Sequence, residues 1–360
     1  MNTSKNWNYN KLISFFLIAL VLLSILVVSA NGWQSDNPGE NEESQNDKQN
    51  QVPDEEGGNT NEPETPTVEV KKFYHHITGL EVLEEDFGQE QIAYVIDSAS
   101  PLCGVANCNI LVEIPLENGK TRFVMIADRS DNFSKIGSIT YTRNYISNIA
   151  TALGATVVSL GNDESIEYKH INSGTSFIDL PKHSGAYYTE YTYFTYTNTN
   201  LLSSILGNNQ AKLDVLPYTF VQSSDKTSGS IISATISLPY SSDTSLVYSK
   251  EQGKYILCKS GSDKIDVSTA DKAEFDNVFV LFADTVTYES ADSTEMLMNT
   301  LGEGEGYYAF GGMAQKITWK LGEDGKLEFY DEAGKPLECA RGKSYIAYVK
   351  SSKSNEVLFS

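Results

Sequence analysis

The sequence predicts an α+β fold, with an N-terminal mixed α/β domain followed by a mostly-β domain, both behind an N-terminal membrane segment and a disordered linker. Three observations predict it. Tyr (21 residues), Thr, Ser and Val are abundant, and these side chains suit pleated sheets better than helices. Between Gln91 and Leu160, apolar runs of strand length surround one segment of helical spacing, as in an α/β or α+β unit. After Pro217, short alternating segments separated by turn residues take over, the pattern of a mostly-β unit.

Residues 1–11 carry Lys5 and Lys11, which place them in the cytoplasm by the positive-inside rule. Leu12 to Ala30 is uncharged, and at about 1.5 Å per residue it nearly spans a ~30 Å hydrocarbon layer. Residues 12–30 are therefore expected to be a transmembrane anchor. Small residues at Val28-Ser29-Ala30 keep a cleaved signal segment open as the alternative, with secretion as its result. Residues 31–67 hold Asn, Gln, Glu, Asp, Pro and Gly with few apolar side chains, so they cannot offset chain entropy and should form a disordered acidic spacer.

The mixed domain is placed at residues 68–222. Gln91 to Asp97 and Cys108 to Ile114 read as buried strands. The Glu117-Asn-Gly-Lys120 turn leads into a third, Thr121 to Ala127, so the last two form a hairpin. Tyr145, Ile146, Ile149 and Leu153 give Thr142 to Leu153 a helical face, with Gly154 as its C-terminal cap. Thr156 to Leu160 is a further strand. In the mostly-β domain, residues 230–360, strands are expected at Ser230–Ser237, Ser245–Ser249, Lys254–Lys259, Val278–Ala283, Lys316–Leu321, Leu327–Tyr330 and Ser344–Val349.

Net charge is −21, with a sequence pI near 4.6. Such a field repels phosphate backbones, so nucleic acid is not an expected partner. Cys103, Cys108, Cys258 and Cys339 allow three pairings that sequence does not resolve, and buried free thiols are the plain alternative. The four His lie at none of the Cys/His spacings of a zinc site, so neither metal nor cofactor is expected.

A series of residues resembles the YerB-type lipoproteins, Gram-positive envelope proteins with two domains of unassigned function. Ile77-Thr-Gly-Leu80 is similar to the opening of that family, and Tyr94-Val-Ile-Asp97 to its first strand. Gly104, Glu113, Glu117, Gly119, Thr121, Arg122 and Phe123 stand at its spacing, as do Ile136-Gly137, Arg143, Tyr145 and Gly161. Further on, Tyr255, Gly261, Asp266, Asn277-Val278, Gly302 to Gly306 and Trp319 continue the match. The resemblance implies a divergent copy. Ser100, Thr140 and Leu257 replace arginines of the family pattern. Ser98, Asn109 and Lys264 stand for an Asn, an Asp and a His, and the lipidation Cys is absent.

Asp97, Glu113, Glu117, Arg122 and Arg143 form the candidate binding cluster. Two carboxylates beside an Arg suit general acid–base work on a glycan, but four residues apart on a regular strand they lie roughly 13 Å apart. An ordinary ion pair between Glu113 and Arg122 across the hairpin is the simpler expectation. No Cys–His nucleophile pattern exists, and Ser223-Ser-Asp-Lys226 lacks the partner motifs of penicillin-recognising enzymes. Gly302-Glu-Gly-Glu-Gly306 reads as a turn, since its acids would repel a pyrophosphate. In the tyrosine run from Tyr187 to Tyr196, half the rings should be core and half exposed. The expected function is a non-enzymatic envelope binding or scaffolding protein, whose partners are envelope proteins or cell-wall components, with the membrane engaged through residues 12–30. A wall hydrolase and an extracytoplasmic small-ligand receptor are the alternatives.

Overall fold

The computed structural model describes residues 71–161, 176–206, 219–222, 229–289, 294–321, 325 and 327–360. The apolar run 12–30, the spacer 31–67 and Ser223 to Lys226 lie outside them. Among the described residues, no helix is long and apolar enough to cross a membrane.

Strands dominate the described residues of both halves. Among the described residues helices are few: Asn144–Ala152, the short Thr199–Ser203 and short 3₁₀ segments. The N-terminal half is thus a sheet carrying one substantial helix, a mostly-β unit rather than a balanced α/β one. That helix buries Tyr145, Ile146 and Ile149 and ends at Gly154, whose φ of +67° is the left-handed cap the sequence predicts.

A single sheet of 14 strands crosses the chain. Its central order is Met313–Leu321, Gly302–Phe310, Asn277–Ala283, Ser344–Lys350, Ile110–Pro115, Thr121–Asp128, Gln91–Asp97. Ser344–Lys350 runs parallel to both neighbours, pairing Asn277 with Ser344 on one side and Ile110 with Ser344 on the other. It joins the strands of the two halves.

Both faces are covered along Asn277–Ala283, Ser344–Lys350, Ile110–Pro115, Thr121–Asp128 and Gln91–Asp97, which explains why these strands read as continuous apolar runs. Ile92, Tyr94, Ile96, Leu111, Phe123 and Tyr345 point to one face. There Ile236, Leu246, Tyr255, Leu257 and Phe275 of a six-stranded sheet complete the core. Ala93, Val95, Val112, Val124, Ile346 and Trp319 point to the other, in one cluster with the buried side of the helix.

Gly302 to Gly306 is not a turn but the start of the strand Gly302–Phe310. A Cβ on Gly304 would fall 2.5 Å from the Phe282 carbonyl oxygen and 2.6 Å from the Trp319 ring; one on Gly306 would fall 2.4 Å from the Val280 oxygen. The glycines let neighbouring strands and one indole approach the backbone. The Trp319 indole donates to the Phe282 carbonyl at 3.1 Å, so a buried ring supplies the packing that the missing side chain lacks.

Candidate binding site

The hairpin register decides the fate of the sequence-predicted cluster. Pro115 pairs with Thr121, Ile114 with Arg122 and Glu113 with Phe123. Because side chains alternate along a strand, Glu113 and Arg122 lie on opposite faces of the sheet. The expected Glu113–Arg122 pair does not form.

Glu113 points to the face covered by the second sheet and has no exposed surface. It accepts hydrogen bonds from Thr121 Oγ1 at 2.6 Å, from Lys259 Nζ at 2.5 Å and from the Tyr345 hydroxyl. Ser98 Oγ extends the chain, 2.7 Å from Thr121 Oγ1. Lys259, also buried, rests its ammonium 4.6 Å from the Phe123 ring centre. Burial, together with the Glu113 charge, holds the Tyr345 and Tyr240 hydroxyls well above their ordinary range. Burial and then the Lys259 charge lower Lys264. Glu113 therefore ties the two halves together, out of reach of any substrate.

Asp97 and Arg122 stand opposite each other in register on the helix-bearing face. The Asp97 carboxylate accepts from Ala99 N at 3.1 Å and from Ser100 Oγ at 2.7 Å. Arg143, at the start of the helix, donates from Nη2 to Glu117 at 3.2 Å, with Nη1 also 3.2 Å from that carboxylate. Glu117 Oε1 also accepts the Met296 backbone N–H at 2.7 Å, so this carboxylate too fastens the halves. The five residues of the cluster are thus divided: Asp97, Arg122, Glu117 and Arg143 belong to one side, Glu113 to the other.

A second polar group was not singled out from the sequence. His75 Nδ1 accepts from the Thr78 backbone N–H at 3.1 Å, so its Nε2–H donates to Asp128 at 2.9 Å. Gln91 also donates to Asp128. Burial raises Asp128, but the hydrogen bonds and charge of His75 and the amides of Gln91 and Asn109 outweigh it and bring its carboxyl below the ordinary range. Its neighbour Asp131 is pushed up to about 6, first by burial and then by the Asp128 charge. Asp131 thus holds its proton more tightly folded than unfolded, where a carboxyl titrates near ~3.9. Its contribution is complete below about pH 4 and is lost as pH rises through about 6. Asp131→Asn is expected to gain stability relative to the natural protein across that interval and hold the gain at pH 7. Thermal melts at pH 4 to 7 check this; a constant difference between the two proteins would refute it.

All four cysteines are free and buried. Burial pushes the Cys103 and Cys258 thiols up to about 11 and Cys108 up to about 12, so they stay protonated at neutral pH. Among the described residues, no group of three or more His, Cys, Asp and Glu could hold a metal ion. In the tyrosine run, Tyr196 is buried while Tyr191 and Tyr193, in the turn between Tyr188–Glu190 and Phe194–Thr197, are exposed.

A cavity of about 440 Å³ lies between the Tyr74–Gly79 segment and the strands Thr219–Val221 and Leu327–Asp331. Tyr74, Phe220, Phe329, Tyr330 and Leu337 line it, with Arg341 as its cation. Gly79, at φ +64°, lets the Phe220 ring in: a Cβ there would lie 2.3 Å from that ring. Arg341 had no distinguishing signal in the sequence, since nothing local reveals which distant strands surround it.

Residues 77–212 match the family model described as protein of unknown function (DUF3048) N-terminal domain, and residues 236–346 match that of its C-terminal domain. Among solved structures, the crystal structure of YerB protein from Bacillus subtilis is similar, with a TM-score of 0.66 and 18% identity over 77% of this chain and 97% of that one. At that identity the likeness is one of fold. No curated protein matches the chain.

Proposed function

The chain belongs to the DUF3048 family of two-domain, YerB-like proteins, and from that premise we propose that it is a non-enzymatic binding or scaffolding protein of the cell envelope. One observation carries the binding part: the cavity joins an aromatic lining to a single cation, as recognition sites do. The carboxylates best placed in sequence for hydrolysis are instead committed to ties between the halves. The location is supported by the apolar run 12–30 after Lys5 and Lys11, and by the acidic residues 31–67, which would hold the folded part away from the membrane. In this reading the chain is a single-pass membrane protein with its folded part outside the cytoplasm, and its partners are wall components or envelope proteins.

Cross-linking in intact cells, followed by fractionation and capture of the full chain, tests the proposal. The protein is expected in the membrane fraction, with wall-synthesis or division proteins enriched on it. Recovery from the cytoplasmic fraction, or no partner above background, would count decisively against it.

A further inference from the structure

We propose that the cavity beside Arg341 binds a small ligand carrying a free carboxylate on an aromatic or apolar body. The inference rests on the binding reading above and names what that site takes.

Arg341 stacks on Tyr74, with the guanidinium carbon 4.3 Å from the ring centre. That stacking fixes the plane of the guanidinium, so its donors are aimed before a ligand arrives. Its Nε is buried, so a ligand in the cavity would meet the terminal nitrogens of the guanidinium. A carboxylate is the group whose two oxygens fit the edge of a guanidinium as a fork. Glu328, the other charged wall residue, accepts the Tyr330 hydroxyl at 2.9 Å, one of the several hydrogen bonds its carboxylate can take. The rest of the wall sets ring and aliphatic carbon from Phe220, Phe329 and Leu337 beside the polar groups of His75 and Thr219. About 440 Å³ suits a ligand of one or two ring-sized groups. Cation and apolar wall together select a carboxylate with an apolar body over a bare inorganic anion, which would leave the rings unused.

N-acetylphenylalanine and its uncharged amide are suitable probes, titrated calorimetrically into the full chain in detergent. The acid is expected to bind at least tenfold more tightly than the amide. Arg341→Gln should remove that preference. Arg341→Lys, which keeps the charge but loses the fork, should retain a smaller one. Thermal melts of both variants show whether they fold, and the acid–amide comparison on the unaltered protein decides the matter even if they do not. Equal binding of acid and amide would overturn the carboxylate assignment and leave the site as a binding cavity. No binding of either at millimolar concentration would overturn the assignment too, without touching the cellular capture result. Equal affinity for acetate and the aromatic acid would remove the apolar half of the proposal.

Discussion

Glu113→Gln and Lys259→Met are each expected to lower the melting temperature by on the order of 10 °C, and the double variant should recover much of that loss. Both side chains are buried, 2.5 Å apart, and come from different sheets. Removing one partner leaves an uncompensated charge in the interior, at a cost of about 3–5 kcal/mol. A glutamine could still accept from Thr121 but would leave the ammonium of Lys259 unpaired. A methionine at 259 would fill the space near Phe123 yet leave the carboxylate with two neutral donors. With both changed, no buried ion remains. Calorimetry on the three variants reads the coupling directly. Simple additivity of the single losses would mean that the pair contributes nothing as a pair, and the assignment of Glu113 to a tie between the halves would fall.

Gly304→Ala should cost about 3 kcal/mol or more, near or beyond the upper end for an overpacked core. The added carbon would meet the Phe282 carbonyl oxygen at 2.5 Å and the Trp319 indole at 2.6 Å. Neither is the loose end of a flexible side chain: one is backbone in a central strand, the other a buried ring anchored by its own hydrogen bond. Glu303→Gln, one residue away and exposed, should leave the denaturation midpoint within about 0.5 kcal/mol of the natural protein. Urea midpoints for the pair of variants test the claim. An unchanged midpoint for Gly304→Ala would show that the strands separate easily, against the close packing described.

These two sites also mark where the sequence was readable and where it was not. Strand 254–259 has the ends its residues suggested, and the helix and its glycine cap stand within two residues of expectation. Local periodicity carries that information because each such element is buried on a definite face. Gly302 to Gly306 misled because glycine is a turn former in isolation. Here its role is set by Phe282 and Trp319, residues distant in sequence. The Glu113–Arg122 pairing failed on parity: with Pro115 opposite Thr121, Glu113 must face Phe123. The turn at Glu117 to Lys120 sets that register. The true partners of Glu113 were beyond reach. Lys259 and Tyr345 lie 146 and 232 residues away, and nothing about either residue's neighbours announces the contact.

The strand Ser344–Lys350 has a consequence in time. It is synthesised after both of its neighbours, yet it lies in the sheet between Asn277–Ala283 and Ile110–Pro115. Until it arrives, each of those strands offers a bare row of amides and carbonyls to whatever extended chain is nearby. A nascent chain stopped short of it has no route to closing the sheet, however well its hairpins have formed. Assembly that waits on contacts of such long separation is slow and prone to wrong pairing. The protein is therefore like an arch whose keystone arrives after the stones on either side of it.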